Sequence, residues 1–162
     1  MSDNYTLISS DCHAGGNMKA YEEYLSPSYR EAFAEWRGAY SNPFRDLQDD
    51  GRSRNWDDAR RTAELDAEGV AAEISFPNTV PPFFPTGALI TYPATDRVEY
   101  ERRLEGIRTH NRWLVDWCAA FPERRCGLPQ VFLNDLDDTI ADLQLAAENG
   151  FRSFMLPAVP PD

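Results

Sequence analysis

Asp11 and His13 stand two residues apart in the stretch Tyr5-Thr6-Leu7-Ile8-Ser9-Ser10-Asp11-Cys12-His13-Ala14-Gly15-Gly16. Leu7 and Ile8 give this stretch strand character, and the two glycines allow the chain to turn immediately behind the pair. Unbroken strand alternation places Leu7, Ser9, Asp11 and His13 on one face and Ile8, Ser10 and Cys12 on the other. Two residues along a strand span roughly 6.5 Å, so a carboxylate and an imidazole so spaced can reach one ion. Asp-x-His at the end of a first strand therefore reads as a metal half-site. The plain alternative is a strand end with two ordinary polar residues, and the spacing alone does not separate the two. Cys12, on the opposite face, reads as a small buried residue.

The elements that must position this pair follow in an alternating order. Strands are expected near 5–13, 70–76, 126–133 and 151–156. Ser26-Pro27 starts a helix to about Trp36, ended with help from Gly38. A second helix starts at Asp57 or Asp58 and stops at Gly69. The longest runs from Arg97 to Phe121, with Tyr100, Leu104, Ile107, Asn111, Leu114, Cys118 and Phe121 on one buried stripe. His110, the only other histidine, lies beside that stripe and is expected to be partly buried or at the surface. Asn111, near its centre, must satisfy its amide against a neighbouring backbone. A last helix, capped by Asn134 or Asp135 and closed by Gly150, is expected to bury Leu136, Ile140, Leu143 and Ala147. Glu73 in the second strand is either an inward polar group or part of a salt bridge. The segment 77–96, rich in Pro and Phe, is long enough to be a lid or a subunit contact. Strands alternating with helices imply parallel pairing through right-handed crossovers.

Composition narrows the class. The chain has 162 residues, 42% hydrophobic and 27% charged, enough for one domain with a real core. A net charge of −11 argues against nucleic acid or an anionic membrane surface as partner. No run approaches membrane-spanning length and no signal-peptide pattern opens the chain. Three cysteines without close pairing fit a reducing compartment, so a cytoplasmic location is expected.

The residues in their order resemble the amidohydrolase-related metal-dependent hydrolases and decarboxylases. The likeness rests on Ile8 to Gly15, Tyr24-Leu25-Ser26-Pro27-Ser28-Tyr29-Arg30, Glu64 to Glu73 and Phe76-Pro77-Asn78. It continues through Asn111-Arg112-Trp113-Leu114, Gly150-Phe151-Arg152 and Leu156-Pro157. The resemblance implies an α/β fold, the N-terminal half of a (β/α)₈ barrel with about four parallel strands, as a single partial domain over 1–162. It implies a divalent metal, zinc first and manganese second, with Asp11 and His13 as ligands; Asp11 stands where such proteins commonly carry His or Glu. Asn78, just past a strand's C-terminal end, is the candidate substrate-binding residue. The implied activity is hydrolysis of an amide or ester-like bond in a small molecule, or non-oxidative decarboxylation. The remaining ligands and the general base would come from a second half. Self-association, or continuation into such a half, is therefore expected. A half-barrel kept as a binding or assembly module, and an unrelated open α/β binding protein, are the rivals from other classes.

Overall fold

The structure, a computed structural model, describes residues 5–39, 53–77, 81–84 and 93–157. Three parallel strands, β1 (Leu7–Ala14), β2 (Val70–Pro77) and β3 (Arg125–Gly127), form a sheet in the order β1-β2-β3. Parallel neighbours need crossovers, and the helices supply them. Between β1 and β2 lie α1 (Met18–Tyr24), α2 (Arg30–Ala39) and α3 (Asp58–Ala67); α4 (Arg97–Ala119) connects β2 to β3, and α5 (Leu136–Glu148) follows. The expected third strand is shortened to three residues. Pro129 has no N–H to donate, so a regular ladder cannot run through it. The expected fourth strand shrinks to a single parallel bridge, Gln130 with Met155. There the Met155 N–H donates to Pro129 O at 2.8 Å and the Val131 N–H to Met155 O at 3.2 Å.

Each helix start has a local cause. Asp57, Asp96 and Asp135 cap α3, α4 and α5 by accepting from backbone N–H groups in the first turn. Asn17 does the same for α1, accepting from Ala20 N–H at 2.8 Å; the sequence reading missed this helix. The helix expected over 27–36 begins as a single 3₁₀ turn, Pro27–Tyr29, and α2 then runs through Gly38 to Ala39. Gly69, at φ +70°, takes the left-handed turn from α3 into β2.

The sheet has two different faces. Glu73, Ser75 and Gly127 face the helices, where Ala14, Tyr21, Trp113, Leu114 and Trp117 form the main cluster. A Cβ at Gly127 would lie 2.8 Å from Cys118 Sγ and from Leu114 Cδ1, so glycine lets α4 sit close against β3. Gly106 plays the same part for the segment 81–84, since its Cβ would fall 1.9 Å from Pro82 O. That contact seats Phe83 beside Leu25 and Phe33. The opposite face carries Ile74 and Phe76, both half-buried, and Cys126, which is exposed. On the outer strand Leu7 and Ile8 are each more than half exposed, as is Leu156 at the other edge. Parallel strands are ordinarily covered on both faces, and the described residues cover this sheet on one.

α5 corrects another expectation. Leu136 and Ile140 are exposed, and the buried positions are Thr139 and Asp142. Arg108 on α4 pairs with Asp142 at 2.7 Å and Asp138 at 3.0 Å, and Tyr100 donates to Asp138 at 2.5 Å. Docking by ions on the Asp138–Asp142 face turns the apolar stripe outward.

β1, β2 and α3 are tied by one buried ion pair. Arg61 donates from Nε and Nη2 to the two oxygens of Glu73, at 2.8 and 2.6 Å. Its Nη1 donates to the carbonyl oxygens of His13 and Arg54, each at 2.9 Å. Glu73 is therefore salt-bridged, which settles the choice left open above. Its next cation, Arg125 Nε, is 4.0 Å away. Removing one partner strands a buried charge, so Arg61→Ala is expected to lose about 3–5 kcal/mol in urea unfolding. The double variant Arg61→Met/Glu73→Met should lose much less, because neither charge is left unpaired.

Candidate functional site

The pair Asp11 and His13 sits at the end of β1, and the strand is not regular before it. In register, Ser9 pairs with Glu73 and Cys12 with Ser75, so β1 advances three residues while β2 advances two. One extra residue in a strand reverses the alternation. Ser9 and Cys12 consequently fall on the same side, and the Cys12 thiol donates to Ser9 Oγ at 3.1 Å. This corrects the expected faces: Ser9 leaves the His13 face, where unbroken alternation had put it. Cys12 is half-buried rather than buried, and burial is the main cause raising its pKa. A cavity of about 350 Å³ lies against it, lined in part by Ser9, Asn55, Arg61 and Glu73, on the helix side of the sheet.

His13 pairs in register with Phe76, and their rings lie 6.0 Å apart at 39°. The imidazole is thus on the open face, at the C-terminal ends of β1 and β2, and it is exposed. Asp11 is exposed as well. The Arg61 bond to the His13 carbonyl fixes the backbone beneath the ring. Asn78 lies outside the described residues. Among the described residues no group of three or more His, Cys, Asp or Glu is placed to hold a metal ion. Asp11 and His13 therefore do not make a complete metal site by themselves.

Behind the pair the chain turns through Gly15 and Gly16, held by residues that sequence reasoning missed. Gly16 N–H donates to Tyr21 Oη at 3.1 Å, and the Tyr21 hydroxyl reaches His110 Nδ1 at 2.8 Å. A side chain at Gly16 would collide with Tyr21 Cε1 at 2.9 Å and crowd Trp113. His110 is fully buried, beyond the partly buried or surface position expected of it. The buried surface of α4 is wider than the apolar stripe and takes in Thr109, His110 and Trp113, the last two against Tyr21 of α1. Asn111 meets its expectation: it donates to Gln130 O at 2.7 Å and accepts from Gln130 N–H at 3.0 Å.

Burial lowers the His110 pKa to about 4, and its Nε2 has no hydrogen-bond partner among the described residues. The folded protein therefore favours the neutral ring, while the unfolded chain binds a proton near pH 6.5. The resulting stability is present above about pH 6.5 and is lost as pH falls toward 4, by roughly 3 kcal/mol in all. Urea midpoints recorded from pH 7 to pH 4 should show this fall, and His110→Gln should flatten it.

No family model and no curated protein matches the chain. Solved structures do. One is 5-carboxyvanillate decarboxylase from Novosphingobium aromaticivorans with bound manganese, at 20% identity and TM-score 0.60, covering 96% of this chain and 42% of that one. Another is 2,6-dihydroxybenzoate decarboxylase from Rhizobium, at 17% identity and TM-score 0.56, covering 98% and 42%. A third is an amidohydrolase from Mycobacterium avium subsp. paratuberculosis, at 12% identity and TM-score 0.62, covering 94% and 49%. The chain spans less than half the length of these structures. The likeness shows the fold: an α/β unit with parallel strands, corresponding to part of the (β/α)₈ barrel of these structures.

Proposed function

We propose that this chain carries one wall of the active site of a metal-dependent, amidohydrolase-type enzyme, with Asp11 and His13 as two ligands of a divalent ion. The observation that carries this reading is the position of His13. Its imidazole is exposed at the C-terminal ends of two parallel strands, against Phe76, on the face away from the helices. In barrels of this kind that end is where chemistry is placed. The substrate class favoured is a small aromatic carboxylate, with carbon dioxide as the leaving group. The matched structures include six of decarboxylases of such acids, three of them with manganese. Hydrolysis of an amide or ester-like bond is the second reading, supported by the matched amidohydrolase. Asn78 remains the candidate substrate contact.

A bound divalent ion would supply polarisation of the substrate carboxylate or of a water. The described residues offer too few ligands for a complete site, so no reaction step is assigned to it. What this chain contributes is positional. Arg61 holds the backbone of His13, Phe76 backs its ring, and the Gly16–Tyr21–His110 series fixes the turn behind it.

The 162-residue chain is expected to bind zinc or manganese in calorimetric titration, with binding lost in both Asp11→Ala and His13→Ala. Binding that survives both substitutions would remove these two residues from the site. Little or no turnover of aromatic carboxylates, amides or lactones is expected from the chain assayed alone. Turnover abolished by either substitution would show that the ligand set is completed without a second half.

A further inference from the structure

The helix layer holds a cavity that the pair Asp11 and His13 does not use. It lies between α4 and α5, measures about 330 Å³ and shares no lining residue with the cavity beside Cys12. Its walls are mostly apolar, built by Tyr24, Val115, Pro129, Leu145, Ala146 and Phe151. Tyr24 and Phe151 also pack against the main aromatic cluster, which anchors those walls. A small-molecule site has this size and this kind of lining, with a few placed polar groups.

The charged groups at the cavity balance: Arg108 and Arg112 against Asp116 and Asp142. Both cations are already engaged, Arg108 by Asp138 and Asp142, Arg112 by Glu105 and the carbonyl of Tyr24. Asp116 accepts from the Tyr24 hydroxyl at 2.9 Å. Neither an anion nor a cation therefore finds an unopposed partner, which favours a neutral ligand. One acceptor is left over. The Asp142 side chain is 6% exposed and its Oδ1 is bonded to Arg108 at 2.7 Å, whereas its Oδ2 has no hydrogen-bond partner among the described residues. Burial raises its pKa even with Arg108 beside it. A buried acceptor without a donor is costly, and folded proteins ordinarily supply one. The last torsion of an aspartate is soft, so a small rotation turns Oδ2 to the cavity.

We propose that this cavity is a further ligand site, taking a small neutral aromatic alcohol whose hydroxyl donates to Asp142 Oδ2. The ring packs against Tyr24 and Phe151, since aromatic walls favour an aromatic guest. The hydroxyl supplies the donor that the carboxylate lacks, and a hydrogen bond to an ionised acceptor is among the stronger kinds. No bond is made or broken there. The site needs neither Asp11 nor His13, so it stands or falls apart from the metal reading.

The test is calorimetric titration of the 162-residue chain with p-cresol and with 4-methylanisole, which keeps the ring and the oxygen but has no O–H to donate. Saturable binding of p-cresol is expected, with 4-methylanisole weaker by about tenfold or more. Nuclear Overhauser contacts from the p-cresol ring to the methyl groups of Val115 and Ala146 should locate the site in the unaltered chain. Ala146→Leu, which fills the cavity from a half-buried position, should abolish binding. Asp142→Asn should erase the preference for p-cresol, because an amide turned to the cavity donates as well as accepts. Benzoate should not displace p-cresol. Circular dichroism checks that both variants remain folded, and the Overhauser contacts carry the test without them. Absence of saturable binding would overturn the proposal and assign the cavity to water. Contacts confined to other residues, displacement by benzoate, or a p-cresol preference that survives Asp142→Asn would each overturn it as well.

Discussion

The guanidinium of Arg61 is the constraint on which the rest of this structure depends. One planar group with fixed donors reaches the Glu73 carboxylate on β2, the carbonyl of His13 on β1 and the carbonyl of Arg54 ahead of α3. Lysine could not do this, because an ammonium offers no paired fork for a carboxylate. Burying the pair costs desolvation free energy that the direct bonds largely offset, so its main contribution is geometric. It sets the height of β1 against β2 at the end where His13 is presented. Arg125 extends the arrangement, with its guanidinium 4.1 Å from the centre of the Trp117 ring, its Nη1 donating to Trp117 O at 2.8 Å and lying 2.7 Å from Asp58 Oδ1 as an ion pair.

A second consequence is an unequal division of labour between the two faces of the sheet. The helix side is filled by aromatic rings and by polar groups that are mostly paired, among them Glu105, which accepts from Ser26 N–H at 2.7 Å and from Arg112 at 3.0 Å. The other side holds the imidazole of His13 against Phe76 and has little else over it among the described residues. A barrel interior is built from the second face, and the chemistry of such folds is placed at its C-terminal mouth. The exposure of His13, Ile8 and Leu156 together is thus one geometric fact, the absence of an opposing wall among the described residues.

The turn behind β1 shows why polar groups are buried near the candidate site. Gly16 leaves no room for a side chain, and its backbone N–H needs a partner. Tyr21 supplies it, and His110 in turn supplies a partner for Tyr21. The cost is an imidazole held neutral, with its pKa lowered to about 4 by burial. No helix of the described residues is long and apolar enough to cross a membrane.

Much of this was legible in the sequence. Alternation of short apolar runs with capped helices gave parallel strands and crossovers, because period and caps are local properties. Asn111 could be assigned a structural role from its place on a buried stripe, since a buried amide must find partners. The resemblance of the motifs to amidohydrolase-type barrels agreed with the fold. What tertiary structure alone decided were properties that depend on neighbours distant in the chain. The extra residue in β1 becomes visible only against β2, and it moved Ser9 to the Cys12 side. His110 reads as peripheral until α1 is seen to cover it, 89 residues away at Tyr21. The outward stripe of α5 follows from Arg108 gripping Asp138 and Asp142, and no helical period records a contact with another helix. Sequence fixes which side chains a helix or strand can present together; packing decides which of those faces is turned inward, because that depends on the surface that arrives to meet it.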